Sequence, residues 1–344
     1  MNNKKQVNLL IPFAALSLCV LLTGSCAKKE KLYRKSALLM NTTVTITVVS
    51  DSSEKADAAV DAAIEDIKRL EALISFWSTE SEISAINRNA GVKEVAASPD
   101  TIDMIEKALF VSEKTGGAFD ATIGPIIRLY DFKKKIKPDD RAIRKKLPLV
   151  NYKEMAINRD ASTAYLRKKD MSFDTGGIAK GYAAHRAAEA LKATGINAGI
   201  VAVAGDIRAF GLKPDGKPWL VGIRNPETGD KEDLLAVLGL SDESISTSGD
   251  YERYFIEKDG TMYHHILDPK TGKPARGVRS VTVISKEGAF SDGFSTGIFV
   301  MGTEKGMKLL NEMGFEGLIV DNQGKIYMTD GLKERIKFKG KNED

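Results

Sequence analysis

The chain predicts an α+β fold, with mixed or antiparallel sheets and helices packed on them. Two observations carry this. Strand-like runs rich in β-branched residues outnumber helical runs, and they often follow one another without a helix between. Neither a dinucleotide fingerprint nor a P-loop is present to mark a regularly wound parallel sheet. With 344 residues, 42% hydrophobic and 28% charged, the chain can form one large domain or two intimately joined ones. A net charge of +4, from 51 basic and 47 acidic residues, implies no nucleic-acid partner.

The N-terminus, "MNNKKQVNLLIPFAALSLCVLLTGSCAKKE", has basic Lys4 and Lys5, an apolar stretch from Leu9 to Leu22, and small residues before Cys26. Together these read as a secretory signal over residues 1–25. "LLTGSC" is similar to a bacterial lipoprotein processing site, with Cys26 as the lipidated first residue and Thr23 where Leu is commonest. An ordinary cleaved signal or an uncleaved anchor is the alternative reading. Cys19 leaves with the signal, so the mature chain holds one cysteine and no disulfide framework. Residues 26–36 are then expected as a charged tether, 37–335 as a single domain of two joined subdomains, and 336–344 as a charged tail.

Within the domain, residues 37–51 alternate Thr and Val with the period of a half-buried strand. Residues 52–75 carry a capping sequence and an Ala/Ile/Leu stripe at helical spacing, 99–117 form a second helix with a Gly stop, and 179–195 a third closed by Gly195. The run 163–174 reads as paired strands, and 198–211, 218–226, 234–249, 251–256 and 278–286 as further strands. Two helices, from 292 and over 302–314, precede strands at 316–321 and 325–329. The basic stretch 131–148 mixes acids and prolines and reads as a solvated surface excursion.

Several short segments carry chemistry. In "SDGFSTGIFVMG" (291–302), a helix from 292 would project Asp292, Ser295 and Thr296 from one face at its first turn. Helix capping explains such oxygens, and so does a hard cation such as Mg²⁺, which needs further donors and a phosphate. "FDTGGIAKGY" (173–182) is a strand-to-helix turn whose glycines and N–H groups suit an anion, with Lys180 and Tyr182 beside it. "GAFDATIGPI" (117–126) reads as a shaped loop offering Asp120, or as a hydrophobic plug. Trp77 ends a helix before a capping box at Ser81 and Ser84, where it can stack on a planar ring or cover the core. Of the three histidines, His185 reads as a surface or core residue. "YHHILDPKTGKPA" (263–275) sets one imidazole on each face of a strand, as proton acceptor or as a turn-fixing group. Spacing disfavours zinc, and there is no nucleophile elbow.

Taken in order, "MNTTVTI", "FWSTESEISAIN", "GAFDATIGP", "DTGGIAKGYAAHRA", "AVAGDIRAFG", "HHILDPKTGKPA" and "SDGFSTGIFVMG" resemble the successive motifs of the ApbE-type FAD:protein FMN transferases over about residues 37–330. Asn41 and Ala204 stand where Gly is usual, and Gly293 and Gly297 where Ala is common. The resemblance implies an ApbE-like, T-fold-like architecture, an exported lipoprotein, FAD as substrate and Mg²⁺ as cofactor. It implies metal donors from the Ala179 carbonyl, Asp292 and Thr296, with Ser295 nearby. FAD contacts would come from Met40, Trp77, Ala118, Phe119, Asp120, Gly176, Tyr182 and the His265–Ile266 strand. A threonine of another exported protein, in an Asp-Gly-x-Thr-like sequence absent here, would take FMN and release AMP. Lys180 would neutralise phosphate charge, with His265 the expected base and Asp206 the second candidate. Hydrolysis of FAD to FMN and AMP, and FAD storage without catalysis, are the rival functions.

Overall fold

Two residues with left-handed backbone, Met40 (φ 53) and Asn41 (φ 56), close the first hairpin, between strands Lys31–Leu39 and Thr42–Ser50. A two-residue loop with both φ values positive matches the right-handed twist of the strands it joins. The computed structural model describes residues 29–339 except 229 and 231. The signal segment and Cys26 lie outside the described residues.

The hairpin opens an eight-stranded sheet in which every pair is antiparallel and the strands follow chain order. After the first two come Gly199–Val203, Asp206–Phe210, Ser244–Gly249, Val278–Ser285, Glu316–Asp321 and Ile326–Met328. Period-two alternation decides the faces. Val44, Ile46 and Val48 point to one side, where they meet helices Ser53–Ile74 and Ala179–Ala193. Those helices bury alanine-rich stripes, Ala56, Ala59 and Ala63 on one and Ala184, Ala187 and Ala188 on the other. Such small side chains let two helices and a sheet share one layer. Ser52 caps the first helix by accepting from the Lys55 N–H, and Gly195 (φ 86) follows the end of the second.

The opposite face is covered by a three-stranded sheet of Trp219–Arg224, Leu234–Leu240 and Lys337–Phe338. Trp219, Val221, Leu238 and Leu240 pack there on Val49, Ala209, Ile245, Ile284 and Leu318. Back on the face of the two alanine-rich helices, helix Gly288–Met301 lies beside Ala179–Ala193 and against the strands Ser244–Gly249 and Val278–Ser285, and helix Pro99–Lys114 packs on it. A smaller sheet of Val95–Ala96, Thr163–Leu166 and Met155–Asn158 completes that side.

Several boundaries differ from expectation. Residues 31–36, expected as tether, belong to the edge strand Lys31–Leu39, whose full register with Thr42–Ser50 supplies backbone partners that charge composition does not reveal. The expected tail begins with Lys337–Phe338, paired to Ala236 and Val237. Residues 198–211 fold as a hairpin, turned at Ala204 (φ 55) and Gly205, rather than one strand. The run 163–174 holds one strand, which pairs backwards with Met155–Asn158. Residues 131–148 include the helix Asp140–Lys146, anchored by buried Ile143 against Ile126, Tyr130 and Leu267.

Candidate active site

The helix carrying Asp292 begins at Gly288, so Asp292 stands in its second turn and cannot cap it. Its carboxylate serves a neighbouring helix instead. Ile178, the cap of helix Ala179–Ala193, offers no side-chain acceptor, and Asp292 Oδ2 accepts the Gly181 N–H at 2.9 Å. The contact depends on two glycines: a Cβ on Gly181 would lie 2.1 Å from the Gly288 carbonyl oxygen, and one on Gly288 equally close to that of Gly181. The helices therefore touch backbone to backbone, which lowers Asp292 onto the helix start.

Two chambers meet at this point. The first, about 810 Å³, has apolar walls from Ala118, Phe119, Ile123, Ile127, Ile266 and Leu267. The second, about 520 Å³, is lined by Met40, Ala179, Lys180, Asp206, Ser248 and Asp292 among others. Asp174, Gly176, Arg253, His265 and Thr296 line both and form the waist, with Trp77 at its outer rim. A cleft of this size, with few polar groups converging on apolar walls, has the dimensions of a cofactor site.

In the polar chamber Lys180 Nζ is ion-paired with Asp206 Oδ2. Burial penalises the Lys180 ammonium, but Asp206 and Asp292 outweigh it and the pKa rises, so the lysine stays charged. Burial, and then Asp206, push the Asp292 carboxyl up to about 7, against the pull of Lys180 and the Gly181 N–H. Two carboxylates thus share one ammonium, and a cation would relieve the excess. Asp292 and Thr296, four apart on one helix, face this chamber together with Ala179. Carboxylate, hydroxyl and carbonyl oxygens are hard donors that fit Mg²⁺ when phosphate oxygens complete the shell.

At the waist, burial and then the charge of Arg253 hold the His265 imidazole well below its usual range. It is neutral near pH 7, and its buried Nδ1 has no hydrogen-bond partner among the described residues. His264 points the other way, its Nε2 bonded to the Ala275 carbonyl at 2.9 Å and its ring edge-on to Phe299. Trp77 is 63% exposed at the rim, with the Arg128 guanidinium 4.3 Å from the Phe76 ring centre and 5.6 Å from that of Trp77.

Two expected contacts, Tyr182 and Ser295, lie off the cleft, and a third, Asp120, lines it with its oxygens already bonded. Tyr182 lines neither chamber: it is buried, its hydroxyl donates to the Asp100 carbonyl at 3.2 Å, and two residues of helix turn it some 200° from Lys180. Ser295, one residue from Thr296, turns away from the cavity and donates to the Asp292 carbonyl at 2.8 Å. Asp120 lies in the apolar wall, but its oxygens accept from the Thr122 N–H and hydroxyl and from the Tyr152 N–H. That carboxylate ties the loop together before it meets any ligand. Met40, Ala118, Phe119, Gly176 and Ile266 do line the cleft.

The ApbE family model matches residues 40–319, which span the first turn, both chambers and the helix of Asp292. The chain belongs to the ApbE family. It is 32% identical to the FAD:protein FMN transferase of Treponema pallidum over 93% of each chain, and 30% identical to that of Vibrio cholerae over 95% of this chain and 96% of the relative. Among solved structures, the ApbE protein of Thermotoga maritima superposes with a TM-score of 0.81 at 34% identity, covering 89% of this chain and 99% of that one. The flavin transferase ApbE of Vibrio cholerae gives 0.78 at 28% identity, covering 89% and 99%. Beyond the family motifs singled out in the sequence, this ApbE site includes Ser248 and Arg253. Ser248 bonds the hydroxyls of both Ser295 (2.8 Å) and Thr296 (3.1 Å). Its signal is a cross-sheet one, the register of Ser244–Gly249 on Val278–Ser285, which spacing along the chain does not expose.

Proposed function

We propose that this chain is an FAD:protein FMN transferase that moves FMN from FAD to a threonine hydroxyl of an exported acceptor protein and releases AMP. The observation that supports it most is the waist: a neutral imidazole and Thr296 where an apolar and a polar chamber meet, with Lys180 and Asp292 just inside the polar one. A dinucleotide spanning both chambers would set its pyrophosphate at that junction. Asp292, Thr296 and Ala179 would hold Mg²⁺, which when bound supplies a Lewis acid for the phosphate oxygens.

The chain's own groups then divide the work. His265 accepts the proton of the acceptor threonine as its oxygen bonds to the flavin-side phosphorus. The bond from that phosphorus to the bridging oxygen breaks, and its electron pair leaves with AMP. Lys180 neutralises the charge that develops on the phosphates. Asp206 is committed to its ion pair with Lys180, which favours His265 as the base. Trp77, at the rim, is placed to cover a planar ring. The Cys26 signal supports an exported, lipid-anchored enzyme facing the periplasm. The acceptor would present an Asp-Gly-x-Thr-like sequence, which this chain lacks.

The test combines purified chain, FAD, Mg²⁺ and a candidate acceptor domain, and measures acceptor mass together with free AMP. An acceptor heavier by the FMN moiety, with matching AMP, is the expected result. FMN and AMP free in solution with an unlabelled acceptor would replace transfer by hydrolysis, and unchanged FAD would leave storage.

A further inference from the structure

Arg253 has no role in the mechanism above, yet it lines both chambers. Its position is set by the backbone: the His265 N–H donates to the Arg253 carbonyl at 3.1 Å, one step along the ladder from the Tyr254–His264 pair. Residues directly opposed across an antiparallel pair project from the same face. The guanidinium therefore leaves the ladder on the side of the His265 imidazole, toward the waist. Its charge is felt there by His265 and by Asp174 and Lys180 of the 173–182 turn, which form two segments of the wall.

Neighbouring arginines are already committed. Arg224 pairs with Glu252 at 2.6 Å, and Arg279 with Asp250 and Glu227. Arg253 is exposed, and among the described residues its guanidinium makes no hydrogen bond or ion pair. An uncommitted fork of donors at the junction of two half-sites has the geometry for bidentate recognition of phosphate.

We propose that Arg253 is a catalytic residue that grips the pyrophosphate of FAD at the waist and neutralises charge on the departing AMP phosphate. This rests on FAD as the substrate and deepens that reading: His265 takes the proton and Arg253, its cross-strand partner, takes the charge. Burial does most to keep that base neutral, and a guanidinium beside the imidazole adds to it.

The test uses the full chain carrying Arg253→Gln or Arg253→Lys, with FAD and riboflavin affinities read by flavin fluorescence and turnover read as AMP released. Arg253→Gln should weaken FAD binding about 10- to 100-fold and leave riboflavin, which has no phosphate, unchanged. Its AMP release at saturating FAD should fall on the order of 100-fold, and Arg253→Lys should recover part of the FAD affinity. Equal changes for FAD and riboflavin, or none for either, would overturn the proposal, as would an unaltered maximal rate. If the wild-type chain releases AMP without labelling an acceptor, the transfer reading falls, and the FAD-to-riboflavin comparison still decides Arg253. A wild-type chain that binds no FAD sinks both.

Discussion

The two chambers are built by different means. The apolar one is walled by side chains that hold one another, as in Tyr130 stacked on Phe132 at 5.6 Å with ring planes 2° apart. The polar one is built by backbone contact, Gly181 against Gly288, and by charges that do not balance among themselves. Packing of the first kind tolerates a changed side chain if volume is kept. The second has no slack, because any Cβ at the glycine contact meets a carbonyl and any lost charge alters its partners. One chamber can therefore bind when the other is disabled, and substitutions should separate the two functions.

The sharpest separation is expected at Asp292. Asp292→Asn keeps the shape and a carbonyl oxygen for the Gly181 N–H but removes the charge that would hold a divalent cation. Loss of several kcal/mol of transition-state stabilisation corresponds to a fall on the order of 1,000-fold in acceptor labelling. FAD should still bind through the apolar chamber, so fluorescence titration would show affinity retained while mass spectrometry shows labelling gone. A variant that labels at the wild-type rate would show that the two chambers are not divided in this way.

What the sequence made legible follows the same division. The first helix was readable because Ser52 stands immediately before its apolar stripe, the second from its Gly stop, and Asp292 with Thr296 from a spacing of four. The hairpins beside the polar chamber were not. Their left-handed positions are occupied by Met40, Asn41 and Ala204, not by the glycines that normally announce such turns. Asn tolerates this conformation locally, while Met and Ala carry a steric cost of about 1–2 kcal/mol each that the surrounding sheet must offset. Tyr182 was placed at the site by motif, although its offset of two from Lys180 put it on the other side of the helix. Arg253 and Ser248 reach the cleft through strand pairing, and pairing between distant segments leaves no local trace.

A change of pH probes the support behind the apolar chamber. Burial holds the His264 imidazole down to about 4, against the hydrogen bond it donates to the Ala275 carbonyl, whereas an unfolded chain has a histidine near ~6.5. Between these values the unfolded state binds the proton and the folded state does not. Stability is therefore full above the unfolded value and is lost as pH falls toward 4. At pH 4.5 this one group should cost about 2–3 kcal/mol relative to pH 7.5. His264→Gln keeps a donor for the Ala275 carbonyl and removes the titration, so urea unfolding at the two pH values should show a smaller acid loss by about that amount. Identical acid losses in the two proteins would mean that His264 is solvated in the folded state.

The smallest effect is expected where the chambers open to solvent. Trp77 is 63% exposed and leans on buried Phe76, with ring centres 4.9 Å apart at 80°. Removing so exposed a ring should change folding stability by no more than about 0.5 kcal/mol. Its remaining contribution would be to cover a planar ring of FAD, an interaction of about 1 kcal/mol, so Trp77→Ala should raise the KM for FAD roughly five- to tenfold. Because such a contact is made equally in the ground and transition states, the maximal rate of AMP release should hold. A fall in that rate at saturating FAD would show that the rim also positions the phosphates and that the chambers act as one unit. An unmoved KM would place the planar rings of FAD deeper in the cleft, away from Trp77.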